Sequence, residues 1–175
     1  MSGVPSRCVV DTNVAVTANG ANEAVGRGCV AASARALQAV MSRGHLYIDD
    51  AGRIVTEYRH DLRARGEPGA GDAFLRWVLT HEWGRARVTR VPITPKRGVP
   101  DDFHELPAPP PDVHYDPSDR KFLAVAAAHR SRPPVLQSCD SKWWGWRSAL
   151  AEAGITVCFL CEAEIAAAYA RKAKD

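Results

Sequence analysis

No stretch of the 175-residue chain is apolar for long enough to span a bilayer, and the opening MSGVPSR lacks the hydrophobic segment of an export signal. The expectation is a cytoplasmic protein with no membrane contact. Cysteine is sparse: five residues, an odd number at irregular spacing, do not make a disulfide framework and fit a reducing compartment. Cys158 and Cys161 form a CxxC, but without a second pair or a nearby histidine they do not complete a tetrahedral zinc site, and core packing is expected of them. Glycine-rich phosphate cradles are missing too. There is no GxxxxGK[ST], and NGANEAVGRG does not match GxGxxG, which argues against an NTPase or a dinucleotide enzyme. The six histidines fall singly, with no HxH or HExxH, and none is assigned to catalysis. Charge of one sign is not in great excess: the net +3 is compatible with a polyanionic partner without requiring one.

What is present suits one globular domain covering 1–175, since 46% hydrophobic residues suffice for a sizeable core. Residues 7–11 read as a strand. Helical spacing of Val30, Ala34, Leu37, Val40 and Met41 predicts a helix over 22–42, stopped by Gly44. A short strand at 45–48 precedes a helix at 51–65, capped by Asp49 or Asp50 and followed by Gly66. A helix at 70–83 and a strand at 87–93 come next. The proline-rich segment 95–114, with PAPPP inside it, reads as a stiff connector that is long for a compact domain. Beyond it a helix (117–130), strand (134–138), helix (142–153), strand (155–160) and helix (162–174) alternate. Such alternation predicts an α/β fold, a mainly parallel sheet between helices.

The acidic residues carry the chemistry. CVVD and PVLQSCD end two apolar strands on Asp11 and Asp140, at the rim where open α/β sheets bind ligands. Asp116 and Asp119 in DPSDRKFLAVAAA resemble a helix start, with Asp116 as cap and Pro117 first in the helix. Asp119 also shares a face with Phe122, Leu123 and Ala126, which aims it at the sheet. Glu57 flanks the stripe of Ile54, Val55, Tyr58 and Leu62; its i+4 partner, Asp61, has the wrong sign for a pair, and spacing alone does not single it out. A pocket of carboxylates needs a cation or protons to be stable. Oxygen ligands without histidine or cysteine suit Mg²⁺ or Mn²⁺, hence metal-assisted attack of water on a phosphodiester.

Together these stretches resemble the PIN domain, a family of metal-dependent nucleases, over nearly the whole chain. VVDTNV is similar to the first acidic motif and carries over to Asp11, with Asn13 as a supporting polar residue. IVTEY resembles the second and maps onto Glu57. DPSDRKFLAVA is similar to the third, giving Asp119, and LQSCDSKWW to the fourth, giving Asp140. Where many members carry another acid, two residues on, this chain has Lys142, which would either hold a substrate phosphate or weaken a second metal site. The resemblance implies a three-layer α/β/α fold. It also implies Mg²⁺- or Mn²⁺-dependent cleavage of RNA, more rarely DNA, with Asp11, Glu57, Asp119 and Asp140 holding the metal. Bacterial members are often toxins held by an antitoxin protein, so an inhibitory protein partner and an oligomer both stay open.

Two further features bear on a nucleic-acid partner. KWWGW places Trp143, Trp144 and Trp146 after Asp140; Trp143 and Trp146 share a helix face, so core packing is expected ahead of base stacking. YRHDLRAR gathers Arg59, His60, Arg63 and Arg65 near Glu57, a solvated face that also suits phosphate contacts, Arg59 and Arg63 foremost. Two rivals to the endoribonuclease remain. One is a PIN-fold binding module with a weakened site, supported by Lys142. The other is a phosphotransferase of the haloacid-dehalogenase type, which wants a second aspartate where Asn13 stands.

Overall fold

Runs such as Cys8-Val9-Val10 and Val135-Leu136 are too short for helices, and their flat, apolar, largely β-branched side chains suit a pleated surface covered on both sides. They become strands. The computed structural model describes residues 3–21, 24–65 and 68–172. In chain order its elements are β1 (Arg7–Val10), α1 (Thr12–Ala18), α2 (Arg27–Arg43), β2 (His45–Asp49), α3 (Arg53–Asp61) and α4 (Ala70–His81). Then come β3 (Val88–Val91), α5 (Arg120–Ala128), β4 (Val135–Gln137), α6 (Ser141–Glu152), β5 (Val157–Phe159) and α7 (Glu162–Lys172). All strand pairs are parallel, in the order β3-β2-β1-β4-β5. Cys8, Val9 and Val10 of the central strand have no exposed surface, as expected of a strand between two layers of helices.

Right-handed crossovers put the helices that follow β1 and β2 on one face and those that follow β3 and β4 on the other, consistent with a three-layer α/β/α arrangement. Accordingly α1, α2 and α4 pack on one another, while α5 lies across β2, β1 and β4. One contiguous core joins the layers. The chain steps outward from β1 to β3 and then returns to lay β4 on the other side of β1. Strand order therefore reverses between β1 and β4, and a crevice forms beyond their carboxyl ends.

Several expectations need correction. Helix α1 has no counterpart in the sequence-based reading, which assigns no element between the strand at 7–11 and the helix at 22–42; TNVAVTA is rich in β-branched residues that weaken a helix signal. Burial of Thr12, Val14, Ala15, Thr17 and Ala18 overrides that propensity. The helix expected over 22–42 begins at Arg27 within the described residues; Asn22 lies outside them, as do Gly66 and Lys174. Helix α3 runs Arg53–Asp61, shorter than 51–65, and α4 stops at His81. Segment 117–119 is a turn, so α5 starts at Arg120. The proline-rich segment is anchored: Pro95 and Phe103 form a bridge, and Phe103 and Leu106 are buried in the core.

Cysteine also departs from expectation. Cys29 and Cys161 are joined in a disulfide with their Cα atoms 5.4 Å apart, so Cys161 is not simply core packing, while Cys8, Cys139 and Cys158 are free. The partners are separated by 132 residues. No local spacing could reveal the pair; the fold brings the first turn of α2 to the start of α7. Among the described residues, no helix is long and apolar enough to cross a membrane.

Candidate active site

Asp11 follows the last residue of β1, and Asp140 lies three residues beyond β4, the strand paired beside it. Each caps the helix that follows. One oxygen of Asp11 accepts from the Asn13 N–H at 2.8 Å, and one oxygen of Asp140 accepts from the Lys142 N–H at 3.0 Å. Asn13 joins the two ends: its Oδ1 accepts from the Cys139 N–H at 3.0 Å, and its Nδ2 reaches Cys139 Sγ at 3.5 Å. Thr17 flanks the same thiol at 3.3 Å. Asn13 is thus a clamp that fixes the segment bearing Asp140 against the segment bearing Asp11.

Asp119 ends the turn before α5, on the side of Phe122 and Leu123, and only 8% of it is exposed. The expected capping arrangement is not formed. Asp119 makes no side-chain capping bond, and Asp116 pairs instead with the ammonium of Lys142. Buried Oδ2 of Asp119 has no hydrogen-bond partner; the Lys142 ammonium stands 3.8 Å from it. Glu57, half-buried on α3, accepts from the Thr12 hydroxyl at 2.6 Å and pairs with the ammonium of Lys121. Its helix is held to β1 by the buried Tyr58, whose hydroxyl donates to the Val10 carbonyl next to Asp11. Asp49 ends β2 but does not join this group. Both its oxygens are taken by the Arg53 and Ile54 N–H groups at the start of α3.

The electrostatics show the other three carboxylates acting on Asp11. Burial raises the Asp11 carboxyl well above the ordinary carboxylate range; the charges of Asp119, Glu57 and Asp140 add to this, and the Asn13 N–H partly offsets it. Burial likewise pushes Asp119 up to about 7, with Lys142 and Lys121 opposing and Asp140 and Asp116 adding. Lys142 would be lowered by its own burial, but the bond to Asp116 and the charges of Asp140, Asp119 and Asp116 raise it instead. The charges of Asp119, Glu57 and Asp140 thus all reach Asp11, from the turn before α5, from α3 and from the loop after β4.

No protein-family model, curated protein or solved structure matches this chain. The site has to be judged on its geometry.

Among the described residues, no three Asp, Glu, His or Cys side chains are arranged to close on one metal ion. A hard divalent ion of the Mg²⁺ type does not need three, because it commonly keeps several waters and binds through one or two carboxylates. Asp11 and Asp119 fit that role: both are buried, both are oxygen donors, and one Asp119 oxygen lacks a hydrogen bond.

Basic residues divide differently from expectation. Arg59 turns to Glu82, 3.7 Å away, and Arg63 lies past α3 beside Asp72, to which its N–H donates. Neither lines the cleft of about 480 Å³ that opens beside Glu57 and Lys121, whose walls include Arg53, Thr56, His60 and Asp101. Sequence reasoning missed Lys121 and Thr12. A signal for Lys121 existed: RKFLAVAAA is apolar on every face, so a lysine inside it has to be buried and paired. Trp143 and Trp146 are buried and pack on each other, with Trp146 also against Tyr115, as expected of core residues.

Proposed function

We propose that the chain is a PIN-like nuclease that uses Mg²⁺ or Mn²⁺ to hydrolyse phosphodiester bonds, with RNA as the foremost substrate. The observation that supports this is the buried Asp11 at the reversal between β1 and β4, within reach of the charges of Asp119, Glu57 and Asp140. Asp11 and Asp119 are raised in pKa by burial and by their neighbours, and Asp119 Oδ2 has no hydrogen-bond donor of its own. Such a group is neutralised either by protons or by a cation.

When bound, the ion would polarise a phosphoryl oxygen and acidify a water. Asp11 and Asp119 would hold it, with Asp140 beside them. Asp119 would bind the ion as its carboxylate, releasing to solvent any proton it carries. Glu57, held at its two oxygens by Thr12 and Lys121, would take a proton from the attacking water at a carboxylate oxygen. Arg53, whose side chain lines the cleft, would supply positive charge for a flanking phosphate.

A second reading has its own observation. Lys142 and Lys121 already pair with Asp116 and Glu57, as would suit a domain that binds RNA or protein without cutting. Labelled single-stranded RNA and DNA, incubated with the protein in Mg²⁺, Mn²⁺ or EDTA, separate the two. Metal-dependent cleavage that Asp11→Asn abolishes supports the nuclease. RNA retained intact in every condition supports the binding module.

A further inference from the structure

The proline-rich segment has no part in the chemistry above, yet so long a connector is uncommon in a compact domain, and an ordered one is usually functional. It borders a cavity of about 220 Å³. Leu106, Pro107, Pro109 and Val113 give this cavity apolar walls, while Tyr115 and Arg120 give it polar ones. The walls are already fixed: Pro95 bridges Phe103, and Lys96 pairs with Asp102 at 3.1 Å. The other oxygen of Asp102 takes the Phe103 N–H at 2.8 Å, so that acid is fully engaged. Tyr115 is 3% exposed, and among the described residues nothing hydrogen-bonds its hydroxyl. Arg120 is half-buried, and its Nε donates to the Tyr115 carbonyl at 3.0 Å. Among the described residues, no carboxylate lies within ion-pair distance of its two terminal nitrogens. A buried hydroxyl is costly to leave without a partner. The cavity also adjoins the carboxylates. Asp119 acts on Asp11 while the next residue, Arg120, lines the cavity, and Tyr115 stands just before Asp116. Site and cavity share the turn before α5.

Resting on the RNA reading above, we propose that this cavity receives one base of the RNA strand, next to the cut phosphate, and selects guanine through Arg120 and Tyr115. The cavity is smaller than the roughly 300–1,000 Å³ of sites for drug-sized ligands, which suits a single base. Bases of single-stranded RNA can be splayed out, packed on their faces and read at their edges. The apolar walls take the faces. At the edge, the terminal N–H groups of Arg120 donate as a pair, and guanine offers the matching acceptors O6 and N7. Adenine sets an amino donor where guanine has O6, and the pyrimidines lack N7, so each leaves Arg120 without one partner. The Tyr115 hydroxyl gains the hydrogen bond that the folded chain does not supply. Walls fixed beforehand spare the complex the cost of ordering the loop.

The test compares wild type, Tyr115→Phe and Arg120→Lys on oligouridine and on oligouridine carrying a single guanine, adenine or cytosine. Cleavage is followed in Mn²⁺, and binding in EDTA by fluorescence anisotropy of the labelled strands. Wild type should cut beside guanine, and bind the guanine strand, about tenfold or more better than the other three. Both variants should lose most of that preference. Tyr115→Phe should melt no lower than wild type, because the hydroxyl it removes has no partner in the folded chain. Loss of the preference in either variant supports the inference. Equal cleavage of all four strands, or faster cleavage beside a base other than guanine, overturns it and leaves the nuclease reading standing. So does a guanine preference that survives in both variants, since guanine is then read elsewhere. Strands that stay intact but bind tighter with guanine, in wild type and not in the variants, keep the inference and sink cleavage. No binding and no cleavage of any strand overturns both.

Discussion

Asp119 is the residue whose protonation the fold changes most legibly, and its direction sets a pH dependence. An acid with a higher pKa folded than unfolded binds more protons when folded between the two values, so stability falls as pH climbs through that interval. For Asp119 the interval runs from 3.8 to about 7, and Asp11 is shifted in the same direction. Asp72, Asp102 and Glu105 are shifted down, burial being more than offset by their hydrogen bonds and charges; their contribution is complete above the ordinary carboxylate range and is lost below it. His45 and His129, lowered by burial, act against Asp119, since stability they cost at acid pH returns as pH rises toward 6.5. The difference between wild type and Asp119→Asn removes the contributions of Asp72, Asp102, Glu105, His45 and His129, and keeps that of Asp119 together with the part of the Asp11 shift that its charge causes. In EDTA, the melting temperature of wild type should drop relative to Asp119→Asn between pH 4 and 7, and saturating Mn²⁺ should remove that drop. A constant difference across the range would show that Asp119 ionises freely. Asp11→Asn follows the same logic at fixed pH. It removes a buried, repelled charge and should melt no lower than wild type in EDTA, while cleavage falls by orders of magnitude.

At the scale of elements, the site depends on three helix starts more than on the helices themselves. Asp11 and Asp140 cap α1 and α6, and Asn13 binds the two starts together through Cys139. Asn13→Ala leaves a half-buried N–H unpaired and should cost about 1–2 kcal/mol by denaturant unfolding. Because it frees the loop carrying Asp140, it should also lower kcat by about tenfold or more with little change in KM. An equal loss in a variant of matched stability elsewhere would reduce Asn13 to a structural role. The other element-scale tie is the disulfide between α2 and α7. Reducing it, or changing Cys29 and Cys161 together to Ser, should lower stability by about 2–4 kcal/mol, read as a shifted denaturation midpoint. Legibility was uneven here. The core-facing side of Asp119 could be read from Phe122 and Leu123. Helix α1 could not, because its β-branched sequence favours a strand and only tertiary burial makes it a helix.

For the whole molecule, alternation of apolar runs with amphipathic segments was enough to anticipate a parallel sheet with covering helices, and aspartates at two strand ends were enough to suggest where a site would lie. What the sequence does not carry is which strands are neighbours. That β4 lies against β1, and so sets Asp140 beside Asp11, follows from chain return and handedness and not from either strand's own residues. The disulfide was hidden for the same reason. The adjacency of β1 and β4 also orders events in time. β1 is made before the other four strands, and the strand that completes its pairing is made only after Pro134. A nascent chain can build β1, β2 and β3 and their helices well before it can place Asp119 and Asp140 against Asp11. On the proposed reading, the chain would have no complete site, and so no cleaving activity, until the segment that follows Pro134 had been made.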